Sequence, residues 1–241
     1  SRWINFLMTN LSPIPCMVLA AGRGERMRPL TDHTPKPLLE VQGKKLIDWH
    51  IDGLSKNGFS QVVVNHAWLG EQVVAHLSQP KRTSLNVQFS RELTALETAG
   101  GLRQGMSLMK LDDYFFAING DVFCPNFPFE KIQGIVQKLR DHHPTSLAYL
   151  FLVKNPDHNP QGDFQLKGSL VKDKDAQDSS LTFSGAGIYH QDLFKSIKIG
   201  EVAKLAPILR QAMNEDQVLG ELLSVPWVDV GTPERLAELN K

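Results

Sequence analysis

The sequence predicts an α/β fold: a doubly wound, mostly parallel sheet completed by a smaller mixed lobe. Three observations predict it. From about residue 16 to residue 154, short apolar runs alternate with segments of helical periodicity, the rhythm of βαβ units. After about Asn155 the rhythm gives way to short strands separated by turn-rich stretches. Two of the apolar runs end in glycine turns, the place where open α/β sheets bind ligands.

Residues 15–20 (Pro-Cys-Met-Val-Leu-Ala) read as a buried strand feeding a loop at Ala21 and Gly22. A helix is predicted over 46–57, with Ile47, Ile51 and Leu54 on one face and Gly58 as its stop. Then follow a strand at 61–65, a helix at 69–77, a strand at 87–90 and a helix at 97–109. The strand at 114–119 ends in Gly120 and Asp121, and a helix at 130–142 leads to an apolar strand at 146–153. In the second half, 163–166, 169–172 and 181–189 read as strands. A helix at 205–213 carries Leu205, Ile208, Leu209 and Ala212 on one face. Strands at 218–224 and 227–230 precede a last helix at 233–239, with Pro233 in its first turn. Nothing in 16–241 reads as a repeat, a low-complexity tract or a polar linker, so one domain is expected. Residues 1–15, irregular and carrying Met8, are set apart as an N-terminal extension or alternative start.

Lys and Arg number 26, as do Asp and Glu, which argues against a broad nucleic-acid or anionic-membrane surface but allows a local anion pocket. Cys16 and Cys124 lie far apart in strand-like surroundings and are expected as reduced core residues. No apolar run reaches membrane-spanning length and no secretory pattern opens the chain, so a cytoplasmic protein is expected.

The chemistry concentrates in four stretches. The first, residues 19–31 (Leu-Ala-Ala-Gly-Arg-Gly-Glu-Arg-Met-Arg-Pro-Leu-Thr), follows the first strand. Its glycines let backbone N–H groups approach phosphate oxygens. A dinucleotide fingerprint fails at Met27, where a third glycine belongs, and a P-loop fails for want of Gly-Lys-Ser/Thr. Arg23, Arg26 and Arg28, with Lys36 in Thr34-Pro35-Lys36-Pro37, supply the cationic density of a polyphosphate cradle. An exposed basic loop is the plain alternative. The second stretch is Asn119-Gly120-Asp121, a carboxylate at a strand tip suited to a hard cation, or an Asx turn. The third, Trp227-Val228-Asp229-Val230-Gly231-Thr232-Pro233, offers Asp229, while Thr232 reads as a helix cap. The fourth is Leu96-Glu97-Thr98-Ala99-Gly100-Gly101, in which Glu97 or Thr98 is also able to start a helix.

Together these stretches resemble the nucleoside-diphosphate-sugar pyrophosphorylases, the sugar-phosphate nucleotidyltransferases with a Rossmann-like fold. The resemblance implies a nucleotide cradle of Leu19, Ala20, Ala21, Gly22 and Gly24, with base contact through Leu96, Glu97, Thr98 and Gly100. It implies Arg26 on the leaving pyrophosphate, Lys36 on the phosphates at the reaction centre, and Mg²⁺ on Asp121 and Asp229. It also implies a division of labour, with about 16–154 binding nucleotide and about 155–241 binding sugar. Stretches at 64–70, 162–164, 181–185 and 204–213 resemble a branch that joins UTP to N-acetylmuramic acid 1-phosphate in peptidoglycan recycling. Mannose-1-phosphate guanylyltransferases share much of the pattern. For that branch the sugar lining is expected from Asn65, His66, Trp68, Gly162, Asp163 and Ser184, the alternative being that Trp68 is core and Asp163 ends a turn. Many relatives carry Glu-Lys-Pro in the second lobe; here Val171-Lys172-Asp173-Lys174-Asp175 lacks the proline. Lys174 substitutes there, or Lys36 and the metal hold the sugar phosphate alone. A sensor that has lost turnover, and a nicotinamide oxidoreductase, fit less well: the first has no reason to keep all four charged residues, and the second lacks its glycine. His66, His142, His143 and His158 show no metal-ligand spacing.

Overall fold

The computed structural model describes residues 13–79, 84–176 and 179–241, so most of the expected N-terminal extension lies outside the described residues. One nine-stranded sheet organises them, in the order β5-β4-β1-β6-β11-β8-β12-β10-β9. Its parallel part is β5 (Asn86–Arg91), β4 (Gln61–His66), β1 (Cys16–Leu19) and β6 (Tyr114–Asn119). β11 (Thr182–His190) runs antiparallel to both β6 and β8 (Ala148–Val153). Beyond β8 lie β12 (Val218–Leu222), parallel to it, then β10 (Leu170–Asp173) and β9 (Phe164–Lys167).

The period-two alternation of strand residues builds a separate core on each face. Cys16, Val18, Val62, Val64, Phe116 and Ile118 point to one side. There they meet α1 (Leu46–Lys56), α2 (Gly70–Leu77) and α4 (Ile132–His142) through Ile47, Leu54, Val73 and Val136. Met17, Val63, Phe115 and Ala117 point to the other side, against α3 (Glu97–Met106) and α5 (Leu205–Asn214). Both thiols are free and buried.

Two features differ from the sequence expectation. The strand at 182–190, from the second half, inserts between β6 and β8 of the first, so the halves interleave in one sheet. The helix expected over 97–109 ends at Met106, where the Ser107 hydroxyl donates back to the Gln104 carbonyl at 2.6 Å. Three short strands escaped the pattern: β2 (Glu40–Val41) with its partner β3 (Lys44–Lys45), and β7 (Val122–Phe123), which pairs with β13 (Val228–Asp229) inside the strand expected at 227–230. Two-residue strands carry no periodicity to read. The β7–β13 pair helps enclose a small third core of Met27, Val41, Leu46, Phe123, Val230 and Leu236, the last from α6 (Pro233–Leu239).

Candidate active site

That small core explains how distant charged residues meet. Arg26 precedes Met27 and Asp229 precedes Val230, both in that core, while Asp121 precedes Val122, buried in the larger core, and Phe123, buried in the small one. Each functional side chain thus sits beside an apolar anchor whose burial contributes about 1.5–3 kcal/mol. Pairing of Asp229 with Val122, and a 2.9 Å bond from the Val230 N–H to the Asp121 carbonyl, bring the two carboxylate-bearing segments side by side.

A cleft of about 870 Å³ opens beyond the carboxyl ends of β1, β4 and β6. Leu19, Ala20, Ala21, Gly22, Gly24, Arg26 and Lys36 line it from one side, Leu96, Glu97 and Thr98 from another, and Asp121 from its floor. A buried chain of hydrogen bonds spans it. The Ala20 N–H donates to Asn65 Oδ1 at 2.6 Å, Asn65 Nδ2 donates to Glu92 Oε2 at 2.7 Å, and the Leu96 N–H donates to Glu92 Oε1 at 3.2 Å. Burial pushes the Glu92 carboxyl above its ordinary pKa, opposed by these two donors. Glu97 opens α3 with φ at 59°, a left-handed conformation unusual for a side chain with a Cβ.

Lys36 sits in a tight turn, Lys36–Leu38, between buried Pro35 and Pro37. Its side chain is 11% exposed, and Nζ lies 3.1 Å from Asp121 Oδ2. Asp229 Oδ2 lies 3.5 Å from His158 Nε2 and 3.6 Å from Arg235 Nη1, while Oδ1 is buried with no hydrogen-bond partner. Among the described residues no cluster of three or more His, Cys, Asp or Glu exists that would hold a metal unaided. Two carboxylates, one with an orphaned oxygen, fit a hard cation such as Mg²⁺ that draws its remaining ligands from phosphates and water.

A second hollow, about 320 Å³, shares Asn119 and Asp121 with the cleft and adds Asp163, Ser184, His158 and Asp229. Its wall is a β-bulge in β11, where the register shifts between Phe183 and Gly187. Gly185 has φ at 86°, and a Cβ there would come within 2.7 Å of Asn119 Nδ2. Asp163 is held as an acceptor, by Asn159 Nδ2 at 3.2 Å and the Phe183 N–H at 2.8 Å. Ser184 is buried, its carbonyl accepting from Trp227 Nε1 at 2.9 Å.

Several expected residues lie elsewhere. Asn65 and Trp68, expected beside the sugar, border the larger cleft instead, because they lie at and just beyond the carboxyl end of β4, which stands beside that of β1. Trp68 organises the cradle loop: Nε1 donates to the Thr31 carbonyl at 2.9 Å, and the Arg23 guanidinium lies 3.4 Å from the ring centroid. His66 is buried against Gly70 and edge-on to Phe89, bordering neither cavity. Gly100 packs in α3 against the backbone of Glu201 and Ala203, its N–H donating to the Ala203 carbonyl at 3.0 Å. Gly162 holds the turn below the hollow, its carbonyl accepting from Lys174 Nζ at 2.9 Å. Lys174 is thereby engaged with that turn and borders neither cavity.

Sequence reasoning missed Glu92, His50, His158 and Arg235. His50, on α1, is buried behind the Gly120–Val122 turn. Burial lowers its pKa to about 4, although the carbonyls of Val122 and Gly120 favour the cation. Its position in an apolar helix stripe was the only available signal. Arg235 carried none, reading as an ordinary charged helix residue.

Comparisons with known proteins place the chain in a family. The chain is 46% identical over 224 residues to the N-acetylmuramate alpha-1-phosphate uridylyltransferase of Neisseria meningitidis serogroup B, covering 92% of this chain and 95% of the relative. It is 28% identical to the mannose-1-phosphate guanylyltransferase catalytic subunit beta of Drosophila pseudoobscura pseudoobscura, over 90% of this chain and 59% of that one. A UDP-glucose pyrophosphorylase structure complexed with UDP-glucose superposes with a TM-score of 0.77 at 16% identity, covering 94% of this chain and 97% of the other. The nucleotidyl transferase family profile matches residues 16–241, and the chain belongs to that family.

Proposed function

We propose that the chain joins N-acetylmuramic acid α-1-phosphate to the UMP part of UTP, giving UDP-N-acetylmuramic acid and pyrophosphate, in the cytoplasm and in the service of cell-wall recycling. The observation that carries the reaction type is the convergence of Lys36, Asp121 and Asp229 where the cleft and the hollow meet. The 46% identity to a uridylyltransferase of that named specificity supports the substrates.

The nucleophile needs no base, since a phosphomonoester with a second pKa near 6 is mostly dianionic at pH 7. One of its oxygens bonds to the α-phosphorus while the bond to the β-phosphate oxygen breaks and pyrophosphate departs. Catalysis is therefore positioning and charge stabilisation. Arg26 and the backbone of Gly22 and Gly24 hold the triphosphate tail. Lys36, little exposed and braced by two prolines, meets negative charge as it builds at the α-phosphate. Asp121 and Asp229 would hold Mg²⁺, which when bound would supply electrostatic stabilisation of phosphate charge. About 16–154 contributes most of the nucleotide contacts and about 155–241 most of the sugar contacts, with Asp163 accepting hydrogen bonds from sugar hydroxyls or the amide.

A panel of five triphosphates against N-acetylmuramic acid, mannose and glucose 1-phosphates, scored by pyrophosphate release, tests this. UTP with the N-acetylmuramic acid ester is expected to be the best pair. Better use of GTP with mannose 1-phosphate would overturn the substrates and keep the reaction type.

A further inference from the structure

We infer that Arg235 supplies a second guanidinium to the pyrophosphate site that Arg26 opens. This rests on the reading of Arg26 as the group that meets the leaving pyrophosphate.

Arg235 lies on the first turn of α6 and is tied to Thr232 twice. Its backbone N–H donates to Thr232 Oγ1 at 3.3 Å, and its side-chain Nε donates to the same oxygen at 3.3 Å. A helix cap requires only the first bond. The second fixes the side chain, which is 20% exposed, beside Gly231 and Asp229. Gly231 lines the nucleotide-side cleft. A Cβ at Gly231 would come within 2.6 Å of Arg235 Nη2 and 3.0 Å of Arg26 Nη2, so both guanidinium groups rest on the same open patch of backbone. One arrives from the cradle loop and the other from the last helix.

The charge between them is incompletely answered. Arg235 Nη1 is buried without a hydrogen-bond partner, and its approach to Asp229 Oδ2, at 3.6 Å, is too long for a hydrogen bond. Arg235 is thus only loosely answered by Asp229, the carboxylate that a divalent cation would also claim. A ligand with several adjacent anionic oxygens satisfies guanidinium forks, because each presents parallel N–H donors. Pyrophosphate has that form, whereas a nucleoside monophosphate does not reach across both. Gly231 is the device that admits the pair: any side chain there would push the two arginines apart.

The plain alternative is that Arg235 only braces Asp229. Titration calorimetry of the whole chain with inorganic pyrophosphate, without and with Mg²⁺, separates the two. Arg235→Gln is expected to weaken pyrophosphate binding about tenfold, some 1.4 kcal/mol, in both conditions, with UMP binding unchanged. Arg235→Lys is expected to recover part of the loss. Gly231→Ala meets only the ends of flexible side chains, so it folds and loses pyrophosphate affinity to a similar degree. Wild-type pyrophosphate affinity in a folded Arg235→Gln protein overturns the inference, as does an equal loss for UMP. The titration needs no turnover, so its failure is separate from failure of the proposed reaction, which the substrate panel reports.

Discussion

The cleft beside the cradle loop and the hollow under the β11 bulge meet at Asn119 and Asp121, yet they are assembled differently. The cleft draws three of its four basic residues, Arg23, Arg26 and Lys36, from one continuous stretch, residues 22–36, with Arg23 stacked on Trp68 and Lys36 paired to Asp121. The hollow has no such stretch. Asn159 and Asp163 reach it from one loop and Thr182 and Phe183 from the start of β11, linked by Asn159 Nδ2 to Asp163 at 3.2 Å and to Thr182 at 3.1 Å, and by the Phe183 N–H to Asp163 at 2.8 Å. In the proposed reaction the contrast would follow the ligands: a polyphosphate met by cationic side chains and glycine backbone, and a sugar met by hydrogen-bonding groups, Asp163 among them, whose arrangement the fold must set.

The largest effects are expected where the two regions join. Asp121→Ala or Asp229→Ala should lower turnover on the order of a thousandfold, with circular dichroism unchanged; turnover near normal in either variant removes that residue from the joint. Next comes Lys36→Ala, expected to lower kcat about a hundredfold while changing the KM for triphosphate little. Arg26→Ala should do the reverse, raising the KM for triphosphate, and identical profiles in steady-state kinetics would erase the distinction drawn within the cleft. Asp163→Ala should raise the KM for sugar 1-phosphate about tenfold through lost hydrogen bonds and leave the KM for triphosphate unchanged. An equal rise in both would show that cleft and hollow are not separable.

The smallest effect concerns the wall behind Asp121. Burial holds the His50 pKa down at about 4, against an ordinary 6.5. Between those values the unfolded chain binds the proton more readily than the folded one, so stability falls as pH drops from 6.5 towards 4. Urea unfolding at several pH values should show a shallower decline in His50→Gln than in wild type. The raised Glu92 carboxyl acts in the opposite sense, but it is common to both proteins and cancels in the comparison.

The same contrast explains what could be read from the sequence. The cradle was legible because its glycines and cations are contiguous, and the strand–helix alternation announced the sheet. Asp121 and Asp229 were legible only as strand-tip carboxylates; the β7–β13 pairing that joins them is too short to leave a pattern. Asn65 and Trp68 were placed with the sugar, although the end of β4 stands beside the end of β1 and gives them to the cleft. His66 and Gly100 are spent on packing, which a motif does not reveal. The insertion of β11 between β6 and β8 depends on pairing between residues far apart in sequence. Arg235 becomes visible only once Gly231 shows two guanidinium groups over one backbone patch.

In the proposed reaction one metal, held between Asp121 and Asp229, would join the two regions. Mn²⁺ titration followed by electron paramagnetic resonance, with a non-hydrolysable UTP analogue present, tests it most directly. One tight Mn²⁺ is expected in the wild-type chain beyond that carried by the free nucleotide, with its loss in both Asp121→Ala and Asp229→Ala. Retention of that Mn²⁺ at wild-type affinity in either variant would contradict it.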